Sequence, residues 1–192
     1  MGQYLPPLTA ITGASGAGKT TLENALRSIY GGRILVSTTT RLPRTTDRDG
    51  EYEHISRQDF FRTVLEREFL TWMRFVGSYY GIRLAPFREV LTNLTPCFRP
   101  ITPEVIPRWH EASGGSILFL HLLSPPEAVL RYRLSSRDGD EDKAQRRIVA
   151  DRDIDTTIED LIRKGFPIHV IRYLDNPYEQ LREAQGIIRA HI

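Results

Sequence analysis

The fold of this chain is decided by the stretch Gly13-Ala14-Ser15-Gly16-Ala17-Gly18-Lys19-Thr20. A short run with β propensity, residues 8–12, comes directly before it. After it, apolar residues recur at helical spacing until a pair of glycines ends the pattern; these residues are Leu22, Ala25, Leu26 and Ile29. The sequence therefore predicts a strand, a glycine-rich loop and a helix, in that order.

The glycine-rich stretch has the composition of a phosphate-binding loop. Gly13, Gly18, Lys19 and Thr20 satisfy the pattern G-x-x-x-x-G-K-[ST] between a predicted strand and a predicted helix. Glycines allow backbone N–H groups to turn toward a phosphate, and the helix N-terminus adds a favourable dipole. In this arrangement Lys19 reaches the β and γ phosphates of ATP, and Thr20 is a ligand for Mg²⁺. We therefore expect ATP to bind along Gly13, Ser15, Gly16, Ala17, Gly18, Lys19, Thr20 and Thr21.

The remainder of the chain alternates between predicted strands and helices. Further strands are predicted at residues 34–37, 69–76, 97–101, 117–123 and 168–172. The helices between them are long enough for crossovers, which predicts an α/β fold of the P-loop NTPase type. Its parallel sheet would have about five strands with helices on both faces. A polar stretch, residues 38–53, predicts an excursion from that sheet, and the length fits one domain, residues 1–192.

The overall composition argues against an electrostatically driven partner. The 26 basic and 24 acidic side chains leave a formal net charge of +2, so neither nucleic acid nor an anionic membrane is an expected partner. The single cysteine, Cys97, excludes an intramolecular disulfide, and the five histidines lack metal-ligand spacing. No targeting pattern or apolar span is present. We therefore expect a cytoplasmic protein with small-molecule ligands, either a monomer or a homodimer.

The segments beyond the glycine-rich loop resemble those of guanylate kinases. Ser37-Thr38-Thr39-Thr40-Arg41-Leu42-Pro43-Arg44, with Asp47, Gly50 and Tyr52, is similar to the family pattern S-x-T-T-R-x-P-R-x-x-E-x-x-G-x-x-Y, one residue short before the tyrosine. Phe69-Leu70-Thr71-Trp72 and Tyr79-Tyr80-Gly81 are similar to its F-L-E-W and Y-G-T motifs. The resemblance runs in order from residue 11 to residue 176, and no N-K-x-D motif of GTPases is present.

The resemblance implies that the acceptor is a nucleoside monophosphate bound by residues 38–82. Its 5′-phosphate would contact Arg41, Arg44, Tyr52 and Tyr80, and its base would lie near Ser37. Arginine forks fit phosphate oxygens, and tyrosine hydroxyls donate further hydrogen bonds.

The resemblance also implies a mobile lid, residues 134–150. Cationic residues would neutralise charge on the transferring phosphoryl group while the closed lid expels water. The catalytic residues implied in this way are Lys19, Arg41, Arg133, Arg137 and Arg147. Asn176, just beyond the last predicted strand, would help to hold adenine.

The chain departs from the family pattern at the positions that contact the base. Thr71 replaces the glutamate of F-L-E-W, and Thr102 lies where a second carboxylate belongs. Guanine presents N1–H and an amino group as paired donors, for which a carboxylate is the natural acceptor. We therefore expect weak selectivity for guanine. Arg99 adds a positive charge close to the lost carboxylates and would suit a second phosphate.

Three functions remain open from the sequence. The first is an ATP-dependent kinase of a nucleoside monophosphate, with GMP or dGMP as the first acceptor to test. The second is a kinase of another phosphorylated acceptor such as ribose 1,5-bisphosphate, since kinases of that compound also resemble guanylate kinase. The third is an inert binding module, which the retention of Lys19 and Thr20 disfavours.

Overall fold

The computed structural model describes residues 5–45, 47–75 and 77–191. Its strands are β1 (Leu8–Gly13), β2 (Ser37–Thr39), β3 (Tyr52–His54), β4 (Phe69–Phe75), β5 (Ser78–Arg83), β6 (Cys97–Pro100), β7 (Leu118–Leu122) and β8 (Ile168–Ile171). Its helices are α1 (Lys19–Tyr30), α2 (Arg57–Leu65), α3 (Leu84–Thr92), α4 (Ile106–Ala112), α5 (Glu127–Asp138), α6 (Glu141–Ala150), α7 (Ile154–Arg163) and α8 (Pro177–Ala190). A short 3₁₀ turn, Pro103–Val105, leads into α4.

The central sheet is parallel and has the strand order β6-β1-β7-β8. Every residue of β1 and of β7, the two inner strands, is buried. Strands that are covered on both faces are typically rich in apolar residues, as β7 is, while β1 combines apolar residues with two buried threonines, Thr9 and Thr12. The predicted α/β fold with a parallel sheet is therefore confirmed.

Helices cover both faces of the central sheet. Leu8 of β1 and Phe119 of β7 belong to one buried cluster, whereas Ile11 and Leu120 of the same strands belong to a second cluster. Successive side chains of a strand point to opposite faces, so the two clusters lie on opposite sides of the sheet. Helices α3, α4 and α7 contribute to the first cluster, and α1, α5, α6 and α8 contribute to the second.

A second, mixed sheet has the strand order β3-β2-β5-β4. Strands β2 and β3 pair in parallel, and the pairs β2–β5 and β4–β5 are antiparallel. The two ends of the predicted excursion, together with the strand predicted at residues 69–76, therefore belong to this sheet. That strand is β4; Val76 lies outside the described residues.

The strand predicted at residues 34–37 differs from the structure. Within the described ranges the central sheet has four strands, and the fifth position holds only one parallel bridge, between Arg33 and Cys97. Thr38 and Thr39 pair with the antiparallel strand β5, which draws the chain into the second sheet. Leu35 is nevertheless fully buried and supplies the expected apolar contact.

The charged segment that follows α5 forms two helices, α6 and α7. The break lies at residues 151–153. At the start of α7, Asp155 Oδ1 lies 2.8 Å from Nε2 of the buried His121, and the Ser124 hydroxyl donates to the same oxygen over 3.0 Å. These contacts fix the first turn of α7 to the carboxyl end of β7. None of the helices in the part of the chain described is long and apolar enough to cross a membrane.

Candidate functional site

The glycine-rich loop lies at the carboxyl end of β1, where the sequence predicts it. Gly13 has a φ of 145°, and a Cβ there would lie 2.7 Å from the carbonyl oxygen of Leu122 on β7. Gly18 precedes α1 with a φ of 107°. Both positions need glycine, because other residues rarely adopt such conformations. The loop leads directly into the N-terminus of α1, where backbone N–H groups and the helix dipole favour an anion.

Lys19 is the first residue of α1, and its side chain folds back over the loop. Its Nζ donates to the carbonyl oxygens of Gly13 and Ala14, over 2.6 and 2.9 Å. Burial lowers the pKa of Lys19 to about 8; the Asp151 carboxylate opposes this shift and Arg137 adds to it. The ammonium group is therefore partly desolvated, and its attraction to a phosphate is stronger than it would be in water.

A carboxylate from the break between α6 and α7 contacts the loop. Oδ2 of Asp151 accepts a hydrogen bond of 2.6 Å from the backbone N–H of Ser15. The loop therefore binds an anionic oxygen that the protein itself supplies. Sequence reasoning missed Asp151, because no motif connects this position with the loop, 136 residues away.

A cavity of about 200 Å³, here called the loop cavity, lies beside the glycine-rich loop. Its walls include three residues of the loop, Gly13, Ser15 and Lys19. Three carboxylates also line it: Glu104, Asp151 and Asp153. No cluster of three or more metal-ligating side chains occurs among the described residues. Thr20, the predicted Mg²⁺ ligand, is exposed at the start of α1, as is Thr21. A hydroxyl there suits Mg²⁺, which takes most of its remaining ligands from phosphates and water.

A larger cavity of about 280 Å³ contains both tryptophans of the chain, Trp72 and Trp109, in its walls and is here called the tryptophan cavity. Five residues predicted to bind the acceptor also line it: Ser37, Tyr52, Thr71, Tyr80 and Thr102. Lys19 and Thr102 line both cavities. The lysine of the glycine-rich loop therefore lies where the two cavities meet.

Arg41 lies beside the tryptophan cavity and is held by several neighbours. Its guanidinium donates to Asp47 Oδ1 over 2.7 Å and lies 4.8 Å from the centre of the Tyr52 ring. The hydrogen bond from Arg41 is the main reason why the pKa of Asp47 is lowered. The Tyr52 and Tyr80 rings are 6.5 Å apart. The structure thus brings Arg41 and the two tyrosines together.

Arg44 differs from Arg41 in its surroundings. Its side chain is exposed, and its guanidinium makes no hydrogen bond or ion pair with the described residues. Only its backbone is engaged: its N–H donates to Asp47 Oδ2 over 2.9 Å, and its carbonyl oxygen accepts from the backbone N–H of Asp47 over 3.1 Å. The structure therefore leaves the Arg44 side chain available to a ligand, whereas Arg41 is already fixed in place.

Two hydroxyl groups of the tryptophan cavity already accept hydrogen bonds from the protein. The Arg99 guanidinium donates to Ser37 Oγ. The indole Nε1 of the buried Trp109 donates to Thr71 Oγ1 over 3.1 Å. No Asp or Glu among the described residues lines this cavity. The polar groups near Ser37 and Thr71 are hence the Arg99 guanidinium and two hydroxyls. This agrees with the loss of the family's carboxylates expected from the sequence.

The predicted lid arginines lie on α5 and α6. Arg133 donates to the carbonyl oxygen of Gly16 over 3.1 Å and lies 5.8 Å from the centre of the Tyr173 ring. Arg137 is close enough to Lys19 to lower its pKa. Arg147 lies on α6, half-buried. Arg133 and Arg137 thus lie close to the glycine-rich loop.

Asn176 lies apart from the two cavities in this structure. It caps the N-terminus of α8, where its side-chain oxygen accepts a hydrogen bond of 3.0 Å from the backbone N–H of Tyr178. Asn176 is among the wall residues of neither cavity. A contact between Asn176 and adenine stays a prediction.

Known proteins share both the sequence pattern and the architecture. A family model described as "Guanylate kinase" matches residues 7–163. A guanylate kinase of Caulobacter vibrioides is 31% identical over 138 residues, 71% of this chain and 65% of that protein. One of Anaeromyxobacter dehalogenans is 34% identical over 154 residues, 78% of this chain and 68% of that protein. The chain therefore matches about two thirds of the length of these relatives.

Solved structures extend the similarity to the whole fold. A guanylate kinase from Anaplasma phagocytophilum gives a TM-score of 0.63 at 17% identity, covering 97% of this chain and 86% of that one. A gluconokinase from Sinorhizobium meliloti gives 0.53 at 18% identity, covering 97% and 93%. At such identities the structures show the fold alone. Together with the family model and the relatives near 30% identity, they lead to one conclusion: this chain belongs to the guanylate kinase family.

Proposed function

We propose that the protein transfers the γ-phosphoryl group of ATP to a nucleoside monophosphate, with GMP or dGMP as the first candidate acceptor. The observation that carries this proposal is the position of Lys19, which lines both the loop cavity and the tryptophan cavity. Phosphoryl transfer needs donor and acceptor to meet at one cationic group. The name "Guanylate kinase" of the matched relatives supports the same acceptor.

In the proposed reaction an oxygen of the acceptor phosphate forms a bond to the γ-phosphorus. The bond from that phosphorus to the β–γ bridging oxygen breaks, and ADP leaves with the electron pair. Lys19 stabilises the negative charge on the phosphates, while Arg44, Tyr52 and Tyr80 orient the acceptor. Mg²⁺, when bound at Thr20, would neutralise further phosphate charge. Closure of residues 134–150 would bring Arg137 and Arg147 over the donor, beside Arg133, and exclude water.

The two alternatives are less well supported by the site. A sugar bisphosphate would place a second phosphate in the tryptophan cavity, whose walls are mainly apolar. An inert binding module would have no need of the ammonium of Lys19 at the junction of two cavities. We also propose a cytoplasmic location, because the single cysteine, Cys97, is a buried free thiol and suits a reducing compartment.

A transfer screen tests the proposed function. ATP and Mg²⁺ are incubated with each nucleoside monophosphate and with ribose phosphates, and ADP and the phosphorylated product are quantified. We expect turnover with a nucleoside monophosphate. The Lys19→Ala variant should keep its melting temperature within a few degrees but lose several orders of magnitude in kcat. Wild-type turnover in that variant would contradict the assignment, as would a wild-type protein that transfers phosphate to none of the acceptors.

A further inference from the structure

The guanidinium of Arg99 lies in the wall of the tryptophan cavity and forms no ion pair with a carboxylate of the described residues. The carboxylate of Glu51, which pairs with Arg48, attracts it only at longer range. Arg99 lies on β6 and is half-buried. It uses one donor on Ser37 Oγ and has further N–H groups that no described residue accepts. Removing a guanidinium from water is costly unless acceptors replace the lost solvent. The cavity therefore favours a ligand that presents hydrogen-bond acceptors to Arg99.

The other polar groups of the cavity offer little to a ligand's donors. Thr71 Oγ1 already accepts from Trp109 Nε1, and Ser37 Oγ already accepts from Arg99. A hydroxyl has only two accepting lone pairs, so each retains at most one. No Asp or Glu in the described part of the chain lines the cavity. The N1–H and 2-amino donors of guanine would thus find no charged acceptor, whereas its O6 and N7 are the acceptor pair that an arginine fork contacts.

The cavity walls favour a flat ring as the source of these acceptors. Apolar side chains dominate them, among them Trp72, Met73, Ile82, Val105 and Trp109. Such walls pack well against the faces of a heteroaromatic ring. A second phosphate is a dianion and would need several donors on all sides, while this end of the cavity supplies one guanidinium.

We propose that Arg99 is the base-specificity residue of the site and donates to O6 and N7 of a 6-oxopurine. The inference rests on the proposed function and specifies its acceptor. GMP and IMP share O6 and N7 and differ only at position 2, so the protein accepts them alike. AMP carries an amino group in place of O6. This donor would face the N–H donors of Arg99, so no hydrogen bond forms there. The protein therefore prefers GMP to AMP, but it does not prefer GMP, which has a 2-amino group, to IMP, which lacks one.

Steady-state kinetics with GMP, IMP and AMP test this inference. We expect kcat/KM for GMP and IMP to agree within about threefold and AMP to be poorer by about tenfold or more, as for other arginine contacts to a base. In Arg99→Met, kcat/KM for GMP and IMP should fall about tenfold while that for AMP changes little, so the oxo-to-amino preference disappears. Arg99→Lys keeps the charge without the fork and should retain only part of the preference.

Controls separate this inference from the proposed function. Arg108→Met removes an exposed arginine of α4 that pairs with Glu111, outside the cavity, and should leave the GMP-to-AMP ratio unchanged. Equilibrium binding of GMP, IMP and AMP, measured calorimetrically without ATP, gives the same ratios without catalysis. Melting temperatures and ATP affinities of the Arg99 variants verify that they are folded.

Each outcome decides one claim. Binding preferences that follow Arg99 in a protein without turnover would support the inference and contradict the kinase function. An unchanged GMP-to-AMP ratio in folded Arg99→Met, or a strong loss of IMP relative to GMP, would overturn the role of Arg99. Tighter binding of ribose 1,5-bisphosphate than of any purine nucleotide would also overturn it and would identify the acceptor at Arg99 as a second phosphate.

Discussion

Asp151 Oδ2 and the backbone nitrogen of Ser15 are 2.6 Å apart. The N–H groups of this loop are the donors that a nucleotide phosphate would use. Asp151 also raises the pKa of Lys19 from its burial-lowered value, so it acts on the same ammonium group that a phosphate would contact. In this conformation an internal carboxylate and the ATP phosphates compete for one set of donors.

Removing the charge of Asp151 should therefore strengthen ATP binding. In Asp151→Asn the hydrogen bond to Ser15 becomes a neutral one, and repulsion between the carboxylate and the phosphates disappears. We expect the Kd for ATP to fall by about tenfold, the value of one charge-assisted hydrogen bond relative to a neutral one. Calorimetric titration with ATP in the absence of acceptor measures it.

Asp153→Asn is the matched control for Asp151→Asn. Both carboxylates line the loop cavity, but only Asp151 bonds to the loop. The gain from Asp153→Asn should be several-fold smaller, because it reports only the longer-range repulsion. Equal gains in the two variants would show that the hydrogen bond to Ser15 is irrelevant, and weaker ATP binding in Asp151→Asn would show that the carboxylate assists the nucleotide.

ATP affinity should fall at alkaline pH because of Lys19. Its pKa of about 8 in the free protein lies below the ordinary value of 10.5. Only the protonated form pairs with phosphates, so binding above pH 8 requires proton uptake. The Kd should rise by up to about tenfold per pH unit there, and Lys19 should cause no change well below pH 8. Lys19→Arg, which stays charged, should abolish the dependence, and a pH-independent wild-type Kd from pH 7 to 10 would contradict the lowered pKa.

Arg44→Ala should weaken the acceptor far more than ATP. The Arg44 side chain is exposed and makes no bond to the described residues, so its removal leaves the local structure intact. Losing one charge-assisted contact should cost about 2 kcal/mol, or roughly thirtyfold in the acceptor KM or in kcat/KM. Arg41→Ala would not separate ligand binding from local structure, because Arg41 also forms an ion pair with Asp47. Equal losses of ATP and acceptor affinity in Arg44→Ala would refute this division of roles.

Thr71→Val should lower stability by leaving the indole of Trp109 without an acceptor. Trp109 is 1% exposed, and its Nε1 donates to Thr71 Oγ1. A buried unsatisfied donor costs about 1–3 kcal/mol in the free energy of unfolding, which urea denaturation measures. Thr71→Ser keeps the oxygen and should lie within about 1 kcal/mol of the wild type. A Thr71→Val variant as stable as Thr71→Ser would mean that water replaces the lost acceptor.

The parts of the site that local sequence determines could be predicted. Gly13, Gly18 and Lys19 belong to one short segment whose backbone conformation requires glycine, so the pattern itself contains the geometry. The parallel sheet and its helices follow in the same way from the periodicity of long apolar segments.

Contacts between distant segments could not be predicted in this way. The bond from Ser15 to Asp151 depends on where the helical stretch breaks, and nothing in its charge pattern locates the break at residues 151–153. Residues 34–37 have strand propensity, but β2 starts only at Ser37, where pairing with Tyr52 of β3 begins and pairing with β5 follows at the next residue. The position of Trp109 on its helix is typical of a core residue, so the sequence gives no indication of its hydrogen bond to Thr71.

Both tryptophans of the chain lie in the walls of the same cavity, one buried and one 47% exposed. All indole emission of the protein therefore comes from the place where we expect the acceptor's base to stack. Ligand binding there should change the intensity and the wavelength of that emission without contributions from elsewhere. Tryptophan fluorescence can therefore report acceptor binding without a label. Acceptor affinities can be measured in this way on the wild type and on every variant that retains Trp72 and Trp109.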